Sequence, residues 1–127
     1  MKKLLFVLLL SISSLVHAQW TLIQTSDTAA LFVDNSTIRQ VNQYKRVWSK
    51  TEYFPNSKMA IENKINSTRM YYEFDCRENK GRFLSFSAYK QSNLVDLSYN
   101  DNKIDEWNFI APNTVFSVLL EVVCKSK

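Results

Sequence analysis

From residue 20 onward, apolar and polar positions alternate in short runs with a period of two, the pattern of half-buried strands. Trp20 to Thr25 and Leu31 to Val33 are short β-prone runs, and Tyr44 to Phe54 is a longer one that stops at Pro55. Arg69 to Cys76 and Arg82 to Lys90 flank a turn containing Asn79-Lys80-Gly81, which predicts a hairpin. Leu94 to Tyr99 and a short run through Trp107 to Ile110 complete the strands. Gly81 is the sole glycine, and Pro55 and Pro112 are the only prolines. Turns therefore fall to Asn, Asp and Ser, as in Asp34-Asn35-Ser36 and Asn100-Asp101-Asn102.

The period changes after Pro112. Phe116, Leu119, Leu120, Val123 and Cys124 recur at helical spacing and form one apolar stripe. Asn113 or Thr114 supplies the N-cap. Four valines in this segment lower its intrinsic helix propensity, so packing must hold the helix in place.

The first residues read as an address. Met1-Lys2-Lys3 precedes a leucine-rich run, and Val16-His17-Ala18 gives a small-x-small cleavage site. The apolar run is shorter than the about 20 residues that a bilayer core requires, so it predicts a cleavable signal peptide over residues 1–18 and no transmembrane anchor. Cleavage leaves Gln19 first, and the expectation is that no lipid anchor is attached, because a lipoprotein signal places cysteine there. Removing 18 of the 127 residues leaves 109, one domain over residues 19–127.

The cut changes the chemistry as well. Without Lys2 and Lys3, the 16 basic residues become 14 against 12 acidic ones, a formal charge of +2. Such a mild excess gives no support to nucleic-acid binding. The only histidine, His17, leaves with the signal. Ser-His-Asp and Cys-His mechanisms and histidine-containing zinc sites are thereby excluded. A Gly-rich phosphate loop is excluded by the single glycine. The chain is expected to be no enzyme and to carry no cofactor or metal.

Cys76 and Cys124 form an even pair in an exported chain, which reads as a disulfide. Closing so long a loop stabilises the fold by about 4 kcal/mol in the chain-entropy model. The bridge also orients the sheet. Met70, Tyr72 and Phe74 share the face of Cys76 and so lie under the terminal helix, while Arg69, Tyr71, Glu73 and Asp75 take the other face. The next strand offers Leu84, Phe86 and Ala88 to one side, and Phe83, Ser85, Ser87 and Tyr89 to the other. One helix cannot cover aromatics on both faces. Tyr71, Phe83 and Tyr89 are therefore a candidate partner or dimer face.

Other constellations are weaker. Arg77, Lys80 and Arg82 cluster at the hairpin turn, with Lys90 further along, and make a candidate basic site for an acidic partner. Glu73 and Asp75 lie about 7 Å apart on one strand face, a spacing known in glycosidases, but ion pairing is the better reading. Asp96, Asp101, Asp105 and Glu106 miss the spacing of a calcium loop and read as a polar loop. Trp20, Trp48 and Trp107 are expected to be core residues.

In order and spacing, Trp20, Phe32-Val33-Asp34, Ile38-Arg39, Val47-Trp48, Tyr72-Glu73-Phe74-Asp75-Cys76, Trp107, Pro112 and Val123-Cys124-Lys125 are similar to the surface-adhesin protein E family of Gram-negative envelopes. The resemblance covers essentially all of residues 19–127. It implies an α+β fold in which a single antiparallel β-sheet carries a C-terminal α-helix on one face, tethered by the two cysteines. It also implies dimerisation and adhesion to host proteins such as vitronectin, laminin and plasminogen. The family's named adhesin is a surface lipoprotein. The lack of a lipid-acceptor cysteine here raises an alternative, a soluble periplasmic accessory protein that binds an envelope component or an endogenous partner.

Non-reducing mass analysis of the exported protein is expected to find no alkylatable thiol. Two free cysteines would remove the bridge.

Overall fold

The computed structural model describes residues 19–91, 93–96 and 106–126. Seven strands form one antiparallel sheet: β1 (Trp20–Thr25), β2 (Ala29–Val41), β3 (Tyr44–Tyr53), β4 (Ser67–Asp75), β5 (Lys80–Lys90), β6 (Asn93–Asp96) and β7 (Asn108–Phe109). The first six lie side by side in chain order, and β7 pairs with β5. A short helix, α1 (Lys58–Glu62), interrupts the meander between β3 and β4, and α2 (Val115–Lys125) ends it. The expected α+β architecture is thus the observed one. Residues 1–18, the expected signal peptide, residues 97–99 and the expected Asn100-Asp101-Asn102 turn lie outside the described residues, as does most of the expected acidic loop.

Two local differences from the simple strand pattern matter. Asp34-Asn35-Ser36 does not reverse the chain. It bulges out of β2, and the pairing jumps from Asp34–Trp48 to Arg39–Arg46. Side chains replace the missing ladder bonds. Asp34 Oδ1 accepts from the Ser36 amide at 3.0 Å and from its hydroxyl at 2.5 Å. Thr37 donates to the Asp34 carbonyl at 2.7 Å and accepts from the Trp48 amide at 3.0 Å. A polar segment that satisfies its own backbone can sit inside a strand as a bulge. The reversal comes at Asn42-Gln43 instead, where Asn42 takes φ 56°, a conformation asparagine tolerates.

The second difference is a bulge in β5. Tyr71 pairs with Ser85 but Tyr72 pairs with Phe83, so Leu84 is the extra residue. Because side chains alternate, one extra residue exchanges the faces. Ser85, Ser87 and Tyr89 keep the face away from the helix. Phe83 turns to the helix side, where its ring meets Tyr72 at 4.6 Å and Phe116 at 5.7 Å. Arg82 correspondingly turns away from the helix.

The core lies between α2 and one face of the sheet. Val33, Val47, Phe74, Leu119 and Val123 are fully buried there, with Leu31 and Tyr72 nearly so. Phe116, Leu120 and Cys124, the rest of the predicted stripe, pack at its margin. Thr114 is the N-cap, in a capping box with Ser117. At the other end, Lys45 of β3 donates to the Val123 and Ser126 carbonyls, a cation at the negative end of the helix dipole. The Cys76–Cys124 disulfide, with Cα atoms 5.7 Å apart, joins the end of β4 to the last turn of α2. Tyr72 sits at the centre of an aromatic cluster with Phe74, Phe83 and Phe116. Burial pushes its phenol up to about 12, so it stays neutral in the core.

Gly81 lies in β5, beyond the turn, and its φ is not positive. It is required by proximity: a Cβ there would stand 2.4 Å from Tyr72 Cε1. Gly81→Ala is expected to lower stability by about 1–3 kcal/mol, read as a fall in the urea midpoint at unchanged m-value. An unaltered midpoint would show that Tyr72 moves aside freely.

Candidate functional site

The face of the sheet opposite α2 carries the candidate functional side chains, and strand register assembles them in rows. One row runs Arg39–Arg46–Glu73–Arg82, and the next Trp20–Asp34–Trp48–Tyr71–Ser85. A third runs Phe32–Lys50–Arg69–Ser87. Alternation places residues two apart on one side in β3 and β4, and the bulges in β2 and β5 bring Arg39 and Arg82 to the same side.

Glu73 organises the first row. It is fully buried. Arg46 Nε reaches its Oε2 at 2.5 Å, while Arg82 reaches its Oε1 through Nη2 at 2.6 Å and Nε at 2.8 Å. Arg82 also lies 4.4 Å from the centroid of the Trp107 ring, and Trp107 packs on Tyr44 at 4.8 Å. One carboxylate shared by two guanidinium groups leaves a net positive cluster. The hydrogen bond that Arg46 donates to Glu73 raises the pKa of Arg46 further above its already high value. Asp75, the other half of the spaced carboxylate pair, accepts from the Arg77 and Glu78 amides in the turn. Glu73 is thus ion-paired with arginines of the neighbouring strands, whereas Asp75 is held by backbone amides and forms no ion pair among the described residues.

The other two rows interleave cations with rings. Trp48 stacks on Tyr71 at 4.9 Å, and Arg39 donates Nε and Nη2 to the Tyr71 hydroxyl at 3.2 and 2.9 Å. Lys50 lies 4.9 Å from both the Trp20 and Phe32 rings, and also pairs with Glu52 at 3.1 Å. Arg69 sits between Tyr89 at 5.0 Å and Trp20 at 5.8 Å. Each such contact stabilises a cation by about 0.5–1 kcal/mol when exposed. Among the described residues, Arg39 and Arg69 form no ion pair. Two shallow depressions lie between these groups, of about 190 Å³ beside Trp20, Arg69 and Tyr89 and about 320 Å³ beside Arg39 and Tyr71, and they share Thr37 and Trp48.

The sequence-predicted residues divide between places. Tyr71 and Tyr89 stand on this open face, but Phe83 does not join them, because the Leu84 bulge turns it into the core. The tryptophans, expected in the core, all belong to the open face and are partly exposed. Of the basic turn residues, Lys80 and Arg82 lie on the open face beside the turn, opposite Asp75 and Glu73. Arg77 is exposed at the turn, Lys80 lies 4.5 Å from the Phe109 ring, Arg82 is bound to Glu73, and Lys90 is exposed at the far end of β5. Arg39, Arg46, Lys50 and Arg69 were missed as a group. They come from three strands, and only the register brings them together.

Residues 20–125, nearly the whole chain, match the family model described as surface-adhesin protein E. The chain belongs to the surface-adhesin protein E family. No curated protein matches it. Membership points to a surface adhesin-like protein that binds other proteins, rather than to an enzyme. No helix among the described residues is long and apolar enough to cross a membrane. Among them, too, no group of three or more His, Cys, Asp or Glu side chains converges as metal ligands. In this family member the disulfide sets the helix on one face and leaves the arginine–aromatic face open.

Glu73→Gln keeps the shape but leaves Arg46 and Arg82 without a counter-charge. A loss of about 3 kcal/mol is expected, at the low end for a broken buried pair, because the two arginine side chains remain 27% and 23% exposed. Denaturant titration of the variant measures it, and a change below the error of the method would show that the triad is energetically neutral.

Proposed function

We propose that this protein is an exported, non-enzymatic adhesion module that attaches to host matrix or serum proteins through its open sheet face. Vitronectin, laminin and plasminogen are the ligands that family membership suggests. The observation that carries the reading is the array of Trp20, Trp48, Tyr71 and Tyr89 interleaved with Arg39 and Arg69. Tryptophan, tyrosine and arginine are the side chains that dominate binding energy at protein interfaces. Here they stand on a face that α2 does not cover. Arg39 and Arg69 also give such a face a preference for acidic partners. In this reading residues 1–18 direct export and are removed.

Immobilised vitronectin, laminin and plasminogen test it. The double variant Arg39→Glu/Arg69→Glu is expected to weaken binding about ten-fold or more, and added salt should weaken the wild type. Undiminished binding by the variant would remove this face from the interaction. Protease treatment of intact cells decides the setting. Digestion while a periplasmic control survives is expected for a surface adhesin. Survival until the outer membrane is broken would replace the host ligand with a periplasmic partner.

A further inference from the structure

We infer that the open face also binds a sulfated glycan chain, laid along the track from Arg69 to Arg39. The inference rests on the reading of this face as the partner face, and adds the class of partner it selects.

Three features of the track support it. First, it is cationic at both ends: Arg69 is held against Trp20 and Tyr89, Arg39 is held by Tyr71, and neither has an ion-pair partner among the described residues. Aromatic contacts fix their position without neutralising them, which leaves the charge for an oxyanion. Second, the two depressions between them adjoin through Trp48 and Thr37. Their polar lining is largely hydroxyl-bearing, from Ser36, Thr37, Ser87 and the two tyrosines, set beside aromatic rings; Asp34 also lines the first, its carboxylate held by the Ser36 amide and hydroxyl. That mixture matches a sugar, which presents hydroxyl edges and C–H faces. Third, the track crosses the face of the sheet, where the backbone of the paired strands is committed to the ladder and side chains bond part of the Asp34–Arg39 bulge. A bound peptide could not add main-chain hydrogen bonds as it does at a sheet edge, whereas a glycan needs only side chains. The shallow, two-part shape suits a linear chain with anions spaced along it.

The test is calorimetry of the exported, disulfide-bonded protein with heparin-derived oligosaccharides, with desulfated oligosaccharides of the same length, and with an acidic peptide, poly-glutamate. Salt-sensitive binding of the sulfated chains is expected, weaker with the desulfated ones. Arg39→Ala/Arg69→Ala should weaken it about ten-fold or more while the variant still unfolds in one cooperative transition, and Lys58→Ala on α1 should not weaken it. Absence of binding, or equal binding by the double variant, would overturn the inference. So would a preference for poly-glutamate, which would leave the face as a protein interface and the adhesion reading intact. Glycan binding that persists while all three matrix proteins fail to bind would instead overturn the adhesion reading alone.

Discussion

A sheet has two faces, and among the described residues there is one long helix to cover them. The 11 residues of α2 bury the aliphatic and aromatic side chains of one face. The bridge between Cys76 and Cys124 fixes which face that is. Everything else about the molecule answers to this asymmetry. The covered side takes the order of an ordinary core, with Val33, Val47, Phe74, Leu119 and Val123 excluded from water. The uncovered side must carry large side chains across several strands without presenting a continuous apolar surface, which would drive aggregation.

The open face meets that demand by mixing charge with rings. Arginine and lysine stems cover aromatic surface while their heads stay hydrated, as at Arg69 over Trp20 and Tyr89 or Lys50 over Trp20 and Phe32. Glu73 is the exception, a carboxylate wholly withdrawn from water and tolerated because two guanidinium groups surround it. The same arrangement that makes the face soluble also makes it selective. Rigid aromatics with fixed cations lose little conformational entropy on contact with a partner, and the residual positive charge favours an anionic one. Stability and binding on this face thus arise from the same contacts.

The structure also shows where alternation fails as a guide. Along β4 the face assignments of Tyr71, Tyr72, Glu73 and Phe74 follow from parity alone. Along β5 they hold only to the bulge at Leu84, beyond which Phe83 and Arg82 exchange sides. The exchange places Phe83 against Phe116 and Arg82 against Glu73 at once, so two favourable contacts far apart in sequence support the extra residue. Similarly, Asp34-Asn35-Ser36 has the composition of a turn, and only the pairing of β2 with β3 on both sides of it makes it a bulge. Helix α1 was silent for a different reason. Ser57 caps it, accepting from the Ala60 amide at 3.1 Å, but five residues are too few to establish a helical period.

The sequence by itself determined the class of the fold, the cysteine pair and the capped terminal helix. These depend on composition or on spacing within one segment, where local geometry repeats at a fixed period. Tertiary structure alone decided which cations meet which rings. Arg39, Trp48, Arg69 and Tyr89 lie on β2, β3, β4 and β5, and their proximity depends on strand register and on the two bulges that shift it. Register is set by the total fit of both faces, so no single segment encodes it. That is why the tryptophans looked like core residues in the chain and belong to the open face in the fold.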